Sequence, residues 1–132
     1  MTMMEWGDRL KVGHSRIDAD HQKLVGLLNQ LSDAMSTGKG RELCAGVLSE
    51  LIDYTRTHFA MEEQLMATHG YAQAAAHKAE HTKLVAEVLD FKKRLDGGTV
   101  TLSVSLLHFL ADWLSHHILE SDKALARGIP KG

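Results

Sequence analysis

Two short segments of the 132-residue chain place metal-binding side chains one helical turn apart. His58 and Glu62 lie four positions apart in the sequence, and so do His77 and His81. Side chains at positions i and i+4 share one face of an α-helix, so each pair can point at a common centre. Both pairs also fall on apolar stripes, where an imidazole or a carboxylate without a metal or hydrogen bonds is costly to bury. The spacing therefore indicates a buried metal centre.

Apolar residues recur with the three-four spacing of amphipathic helices in four segments of the chain. The predicted helices run from Asp18, as N-cap, to Met35, from about Arg41 to Thr68, from about Ala72 to Leu95, and from Thr101 or Ser103 to about residue 127, with breaks at Gly38, Gly40, Gly70, Gly97, Gly98 and Gly128. Helices joined by short connections predict an all-α, antiparallel, up-down-up-down four-helix bundle. We expect a single domain (1–132), with an extended N-terminal arm (1–17), the bundle (18–127) and a C-terminal tail (128–132).

The rise of a helix brings histidines from all four segments to one level of this bundle. His21 lies roughly 22 Å from the end of the first helix, and His58 lies roughly 25 Å from the start of the second. His81 and His117 lie roughly 21 to 24 Å from the connection between the third and fourth helices. In an antiparallel bundle, all of them should therefore meet near the same end.

The converging side chains are too many for one tetrahedral zinc ion. They are His21, His58, His77, His81, His117 and Glu62. Two metal ions fit this set better, and a second carboxylate would allow both ions to be bridged. Asp122 is the candidate, but five residues on a regular helix rotate it by about 140° from His117. We therefore predict a π-bulge between His117 and Asp122.

The order and spacing of these seven residues resemble the ligand set of the hemerythrin family. The matching pattern is His21, His58-x-x-x-Glu62, His77-x-x-x-His81 and His117-x-x-x-x-Asp122. Trp6 and the segment from Val12 to His21 are similar to the bacterial single-domain branch, the bacteriohemerythrins, and the resemblance extends to about Leu125. His14 and Asp20 depart from that segment, where an apolar residue and Gln are expected. Neither of them is a ligand position.

The resemblance implies a non-haem di-iron centre with an oxo or hydroxo bridge. His77, His81 and His117 would hold one iron, while His21 and His58 would hold the other. Glu62 and Asp122 would bridge the two. The second iron would keep one open position for dioxygen.

The expected function is reversible dioxygen binding, for storage, transport or delivery to an oxygen-consuming enzyme. By the resemblance, an apolar oxygen pocket is formed by Leu24, Phe59, Trp113, Leu114 and Ile118. No general acid is obvious among them, and a dry wall favours reversible binding over turnover. We therefore expect a carrier and not an enzyme. An oxygen or redox sensor, or a di-iron enzyme that reduces peroxide or nitric oxide, are the alternatives, and the lack of an output domain argues against the sensor.

Other features of the sequence narrow the class of protein. Ferritin-like di-iron proteins use Glu-x-x-His motifs, and this sequence contains none. With a net charge of −2, the chain does not provide the strongly basic surface that nucleic-acid binding requires. The chain shows neither a signal peptide nor an apolar run of membrane-spanning length, so we expect a cytoplasmic protein without membrane insertion. We also expect a monomer.

The remaining histidines and the single cysteine have simpler interpretations. His116 and Glu120 repeat the i, i+4 spacing, but they share a polar face and are assigned to solvent. His14, His69 and His108 are expected on the surface or in contact with a ligand. Cys44 continues an apolar stripe and is expected to be an inert core thiol.

Overall fold

The computed structural model describes residues 4–37, 41–97 and 104–130 of the chain. Its long helices are α1 (Ser15–Ser36), α2 (Arg41–His69), α3 (Ala74–Asp96) and α4 (Val104–His116). A π-helical segment, His117–Asp122, continues α4 into the short helix α5 (Lys123–Gly128). Within the described ranges, no helix has the length and apolar character needed to cross a membrane.

The positions of four histidines show that successive helices alternate in direction. His21 lies near the start of α1 and His77 near the start of α3, whereas His58 lies late in α2 and His117 directly follows α4. The Nε2 atoms of all four nevertheless approach the carboxylate of Asp122. Only antiparallel neighbours bring two helix starts and two helix ends together. The predicted all-α, up-down-up-down bundle is confirmed.

The connections agree with the sequence where they are described. α2 ends at His69, and Gly70 adopts a left-handed φ of +61°, while the amide of Tyr71 donates to the carbonyl of Met66 at 3.0 Å. This is the hydrogen-bond pattern of a Schellman cap, in which glycine avoids the strain of a positive φ. The predicted breaks at Gly38, Gly40 and Gly98, and the predicted start of the fourth helix at Thr101 or Ser103, lie outside the described residues.

The core is built from the inward faces of all four helices. Fully buried leucines from three of them, among them Leu28, Leu48 and Leu95, form one continuous cluster. Leu10 of the N-terminal arm is buried in the same cluster, so the arm covers the bundle. The arm is not wholly extended, because residues Asp8–Leu10 form a turn of 3₁₀-helix. Cys44 is buried here, as expected.

The start of α1 differs from the prediction. Asp18 is not the N-cap, because α1 begins at Ser15 and the ring of His14 accepts the amide N–H of Ile17 at 3.4 Å. The carboxylate of Asp18 instead accepts the amide of Val12 at 2.7 Å and that of Gly13 at 3.2 Å. Asp18 therefore ties the arm to the helix. His14 is buried as a cap, so the surface position expected for it was wrong.

We expect Asp18→Ala to lower the free energy of unfolding by about 1 to 2 kcal/mol, because two arm amides lose a charged acceptor. Urea denaturation measures the change. Asp90→Ala is the matched control, since the exposed pair of Asp90 and Arg94 should contribute less than about 0.5 kcal/mol. Equal losses in the two variants would contradict this role of Asp18.

Candidate metal centre

Five imidazoles and two carboxylates meet at one end of the bundle. The structure brings together all seven side chains that the sequence singled out, and each is at most 4% exposed. They are His21, His58, Glu62, His77, His81, His117 and Asp122. The Nε2 atom of every one of the five rings lies within 3.5 Å of a carboxylate oxygen of Glu62 or Asp122. The two carboxylates thus form the centre of the cluster, and the rings surround it.

The seven side chains divide into two groups of potential metal ligands. Each group has ligand atoms that all lie within 4.8 Å of one another. The three-histidine group is Glu62, His77, His81, His117 and Asp122, and the two-histidine group is His21, His58, Glu62 and Asp122. Both groups contain both carboxylates. Glu62 and Asp122 are therefore placed to bridge two ions.

The predicted π-bulge is present and explains the position of Asp122. The six residues His117–Asp122 form a π-helical segment, which has i to i+5 hydrogen bonds. The wider turn keeps residues five apart on one face, and Asp122 Oδ1 lies 2.9 Å from His117 Nε2. Both side chains are buried. A regular α-helix would have turned the carboxylate away from the cluster.

Buried carboxylates dominate the electrostatics of the cluster. Burial alone would raise the pKa of Glu62 and Asp122, but the surrounding imidazoles hold both well below the usual range. Burial alone would lower the pKa of His58 and His117, yet the carboxylates raise both well above the ordinary value. The pKa of His77 is raised in the same way to about 9. Two negative charges without access to water thus demand nearby positive charge.

Several buried polar atoms of the cluster lack a hydrogen-bond partner, and metal ions could supply both the missing contacts and the positive charge. In the part of the chain that the structure describes, Glu62 Oε2, Asp122 Oδ1, His81 Nε2 and His117 Nε2 are buried without a well-formed hydrogen bond. Such atoms are costly unless they are paired. Imidazole nitrogens and carboxylate oxygens are ligands for iron, manganese, zinc and cobalt ions. The donor set thus fits two such ions.

The outer nitrogens of three rings bind carboxylates that the sequence analysis missed as partners. His58 Nδ1 lies 2.9 Å from Asp20, His81 Nδ1 lies 3.1 Å from Glu63, and His117 Nδ1 lies 3.2 Å from Glu80. A ring N–H donated on this side fixes the tautomer with its free lone pair on Nε2, towards the cluster.

A pattern in the sequence could have revealed these partners. Each of the three acids directly adjoins a residue of the cluster, in the dipeptides Asp20-His21, Glu62-Glu63 and Glu80-His81. Each then accepts from a histidine on the next helix along the chain. The acid of α1 binds a histidine of α2, the acid of α2 binds a histidine of α3, and the acid of α3 binds a histidine of the segment after α4.

Apolar layers close the cluster on both sides along the bundle. On the side of the helix α5, Ile17, Met66 and Leu125 belong to one buried group, and each lies three or four residues from a cluster residue. On the other side is a cavity of about 30 Å³, whose lining includes Leu24 and Leu84. These residues are three positions from His21 and His81, so the cavity lies one helical turn from the cluster. Its volume is enough for a water-sized molecule.

The five residues expected to form the oxygen pocket occupy two different places. Leu24, Trp113 and Leu114 line the cavity. Phe59 and Ile118 are buried but are not among its lining residues. The ring of Phe59 stacks on that of His81, with centroids 3.7 Å apart and an interplanar angle of 3°.

The remaining histidines lie away from the cluster. His116 and Glu120 form an exposed ion pair at 2.7 Å, which confirms their assignment to solvent. His69 and His108 are exposed as well.

We expect the metal-free protein to lose stability as the pH rises. Because the folded pKa of His77 is about 9 and its ordinary value is 6.5, its ion pairs contribute fully below pH 6.5 and are lost as the pH passes 9. This shift corresponds to on the order of 3 kcal/mol. Urea denaturation in a chelating buffer at pH 6 and pH 9 measures the loss. Metal-loaded protein is the control, since an imidazole bound to a metal through Nε2 is neutral and has no positive charge to lose over this pH range. Equal stability of the metal-free protein at both pH values would contradict the account.

Comparisons with known proteins agree with the fold and with the cluster. Residues 12–127 match the family model described as the hemerythrin HHE cation binding domain. The chain is 36% identical over 126 residues to a bacteriohemerythrin of Stenotrophomonas maltophilia, covering 96% of this chain and 81% of the relative. It is 40% identical over 106 residues to a bacteriohemerythrin of Methylococcus capsulatus, covering 80% of each.

A solved structure gives the same result in three dimensions. The crystal structure of a wild-type hemerythrin superposes with a TM-score of 0.90 at 35% identity, covering 95% of this chain and 96% of the other. An alanine variant of hemerythrin superposes with a TM-score of 0.92 and covers 98% of both chains. Since the family model matches residues 12–127 and the two relatives align over about four fifths of their own length at 36% and 40% identity, this chain belongs to the hemerythrin family.

Proposed function

We propose that this chain binds dioxygen reversibly at a di-iron centre, and so stores, transports or delivers oxygen to an oxygen-consuming enzyme in the cytoplasm. One observation carries the proposal: seven buried donors divide into two groups that share both carboxylates, beside an apolar cavity. The names of the bacteriohemerythrin relatives support it. We assign the whole chain, 1–132, to one domain with this function.

The two groups give the proposed assignment of ligands. His77, His81 and His117 would hold one iron, and His21 and His58 would hold the other. Glu62 and Asp122 belong to both groups and would be shared by the two ions, with an oxo or hydroxo group completing the centre. The two-histidine group has one donor fewer, which would leave room for an external ligand.

Charge balance makes such a centre tolerable in an apolar core. Two ferrous ions carry four positive charges, while Glu62, Asp122 and one hydroxide offset three of them. The imidazoles are neutral when Nε2 binds a metal, because the remaining ring proton is on Nδ1. The nearly neutral cluster avoids most of the cost of burying isolated charges.

The bound irons supply the electrons for reversible dioxygen binding, and the chain controls what else reaches them. Leu24, Trp113 and Leu114 give the cavity side an apolar wall, which offers water few hydrogen-bond partners. Among the described residues, the lining contains neither a carboxylic acid nor an imidazole; its polar groups belong to Thr55, Arg56 and the indole N–H of Trp113. The hydroxyl of Thr55 already donates to the carbonyl of Leu51 at 2.7 Å. A lining without a carboxylic acid or an imidazole to deliver protons favours a carrier over an enzyme that reduces peroxide or nitric oxide.

We expect the purified protein to hold two irons per chain and to show an optical band that appears with oxygen and disappears when oxygen is removed. Repeated cycles of oxygenation under a controlled atmosphere measure the reversibility. His117→Ala should lose iron and the band together. An irreversible oxidation with continued consumption of oxygen would contradict the carrier and favour an enzyme.

We expect Leu114→Asn to speed the irreversible oxidation of the oxygenated protein, on the order of tenfold, because a polar side chain draws water into the cavity. The decay of the optical band measures the rate. Leu107→Asn is the matched control, since Leu107 is also buried on α4 but does not line the cavity. Equal rates in both variants would count against the role of the cavity in excluding water.

A further inference from the structure

The two-histidine group has one acidic partner on its outer nitrogens within the described residues. The Nδ1 atom of His58 bonds to Asp20 Oδ2 at 2.9 Å, whereas the buried Nδ1 atom of His21 has no partner. In the three-histidine group, Glu63 and Glu80 bind His81 and His117. Among the described residues, the hydrogen bond of an outer carboxylate therefore reaches the two-histidine group only through Asp20 and His58.

Asp20 is itself held by a third residue. The hydroxyl of Tyr54 donates to Asp20 Oδ1 at 2.9 Å, so the carboxylate accepts one hydrogen bond on each oxygen. Tyr54 lies one turn before His58 on α2, and Asp20 lies on α1. Asp20 and Tyr54 are both half-buried, so water does not fully screen these bonds. The three side chains form a continuous chain of hydrogen bonds from His58 Nδ1 through the Asp20 carboxylate to the hydroxyl of Tyr54.

The two hydrogen bonds on Asp20 have opposite effects on His58. A carboxylate that accepts the Nδ1 proton draws it away from the ring and makes Nε2 a stronger electron donor. A donor on the other carboxylate oxygen stabilises the negative charge and makes the carboxylate a weaker acceptor for His58. Asp20 thus strengthens the ligand, and Tyr54 moderates Asp20.

We propose that Asp20 and Tyr54 are positioning residues that together set the electron-donating strength of His58, and through it the reduction potential of the two-histidine iron. This inference rests on the proposed function for its iron centre. It also gives a reason for the departure at position 20, where the family resemblance leads one to expect glutamine. A carboxylate there is a stronger acceptor than a neutral amide.

Opposite responses to two substitutions separate this role from a merely structural one. Asp20→Asn leaves a weaker acceptor for His58, so the midpoint potential of the iron centre should rise. Tyr54→Phe removes the moderating donor and keeps the charge of the protein, so the potential should fall. The double variant should match Asp20→Asn, because Tyr54 acts only through Asp20. A general loss of packing would not be expected to raise the potential in Asp20→Asn and lower it in Tyr54→Phe.

Two controls on the same helix match these changes. Asp53→Asn removes one negative charge from the exposed surface of α2, next to Tyr54 in the sequence. Thr57→Val removes an exposed hydroxyl, whose bond to the carbonyl of Asp53 is local to the helix. Neither side chain has a described bond to a cluster residue. Both controls should leave the potential near that of the unaltered protein, since exposed charges are screened by water and salt.

The experiment measures the midpoint potential of the iron-loaded variants by anaerobic spectroelectrochemical titration. A second measurement uses the metal-free protein, in which proton NMR detects the Nδ1–H of His58. Its signal should move upfield in Asp20→Asn and downfield in Tyr54→Phe, as the hydrogen bond weakens or strengthens. Opposite shifts in both measurements support the proposal. Shifts in one direction for both variants, no shift in either, or a full effect of Tyr54→Phe in the Asp20→Asn background would overturn it.

These data, together with the iron content and the oxygenation cycles of the unaltered protein, distinguish a failure of this inference from a failure of the proposed function. If the unaltered protein does not load iron or does not bind oxygen reversibly, the carrier function is contradicted. The NMR signals of the metal-free protein then still decide whether Tyr54 acts on His58 through Asp20. If oxygen binds reversibly and the potentials do not separate as described, only the role of Asp20 and Tyr54 is wrong.

Discussion

The burial of two carboxylates among five imidazoles is the constraint on which the rest of this structure depends. Neither Glu62 nor Asp122 has any exposed surface, and together they face ring nitrogens from α1, α2, α3 and the segment that follows α4. Without cations, protons must supply the positive charge, as the raised pKa values of His58, His77 and His117 show. Two metal ions satisfy the same need and leave the rings neutral. The two carboxylates at the centre of the bundle are therefore stabilised by positive charge. The apolar layers on either side limit the water that could otherwise screen their negative charges.

The same kind of hydrogen bond orients a ligand histidine at three successive pairs of helices. An acid beside a cluster residue on one helix binds the outer nitrogen of a histidine on the next, from α1 to α2, from α2 to α3, and from α3 to His117. Each bond selects the ring tautomer that presents Nε2 to the cluster. Each bond also crosses between neighbouring helices, so the contacts that hold the bundle together orient its ligands. The series stops at His21, whose outer nitrogen has no partner among the described residues.

Most of the fold could be predicted from periodicity, because strong apolar stripes and glycine breaks fix helices independently of tertiary detail. The convergence of His21 and His117 followed from helix lengths, and the π-bulge followed from the need to place Asp122 on the face of His117. What the sequence could not show was the choice among competing local hydrogen bonds. Asp18 is a good N-cap residue, yet it binds the arm amides, and His14 caps α1 instead. The partners of the outer nitrogens depend on contacts between helices, which periodicity does not specify.

The central claim is that Glu62 and Asp122 are shared by two metal ions, and the most direct test is anomalous diffraction at the iron absorption edge from crystals of iron-loaded protein. The account predicts two anomalous peaks in each chain. One lies among His77, His81 and His117, the other lies between His21 and His58, and both lie within bonding distance of the two carboxylates. A single peak, or two peaks that do not share Glu62 and Asp122, would contradict it.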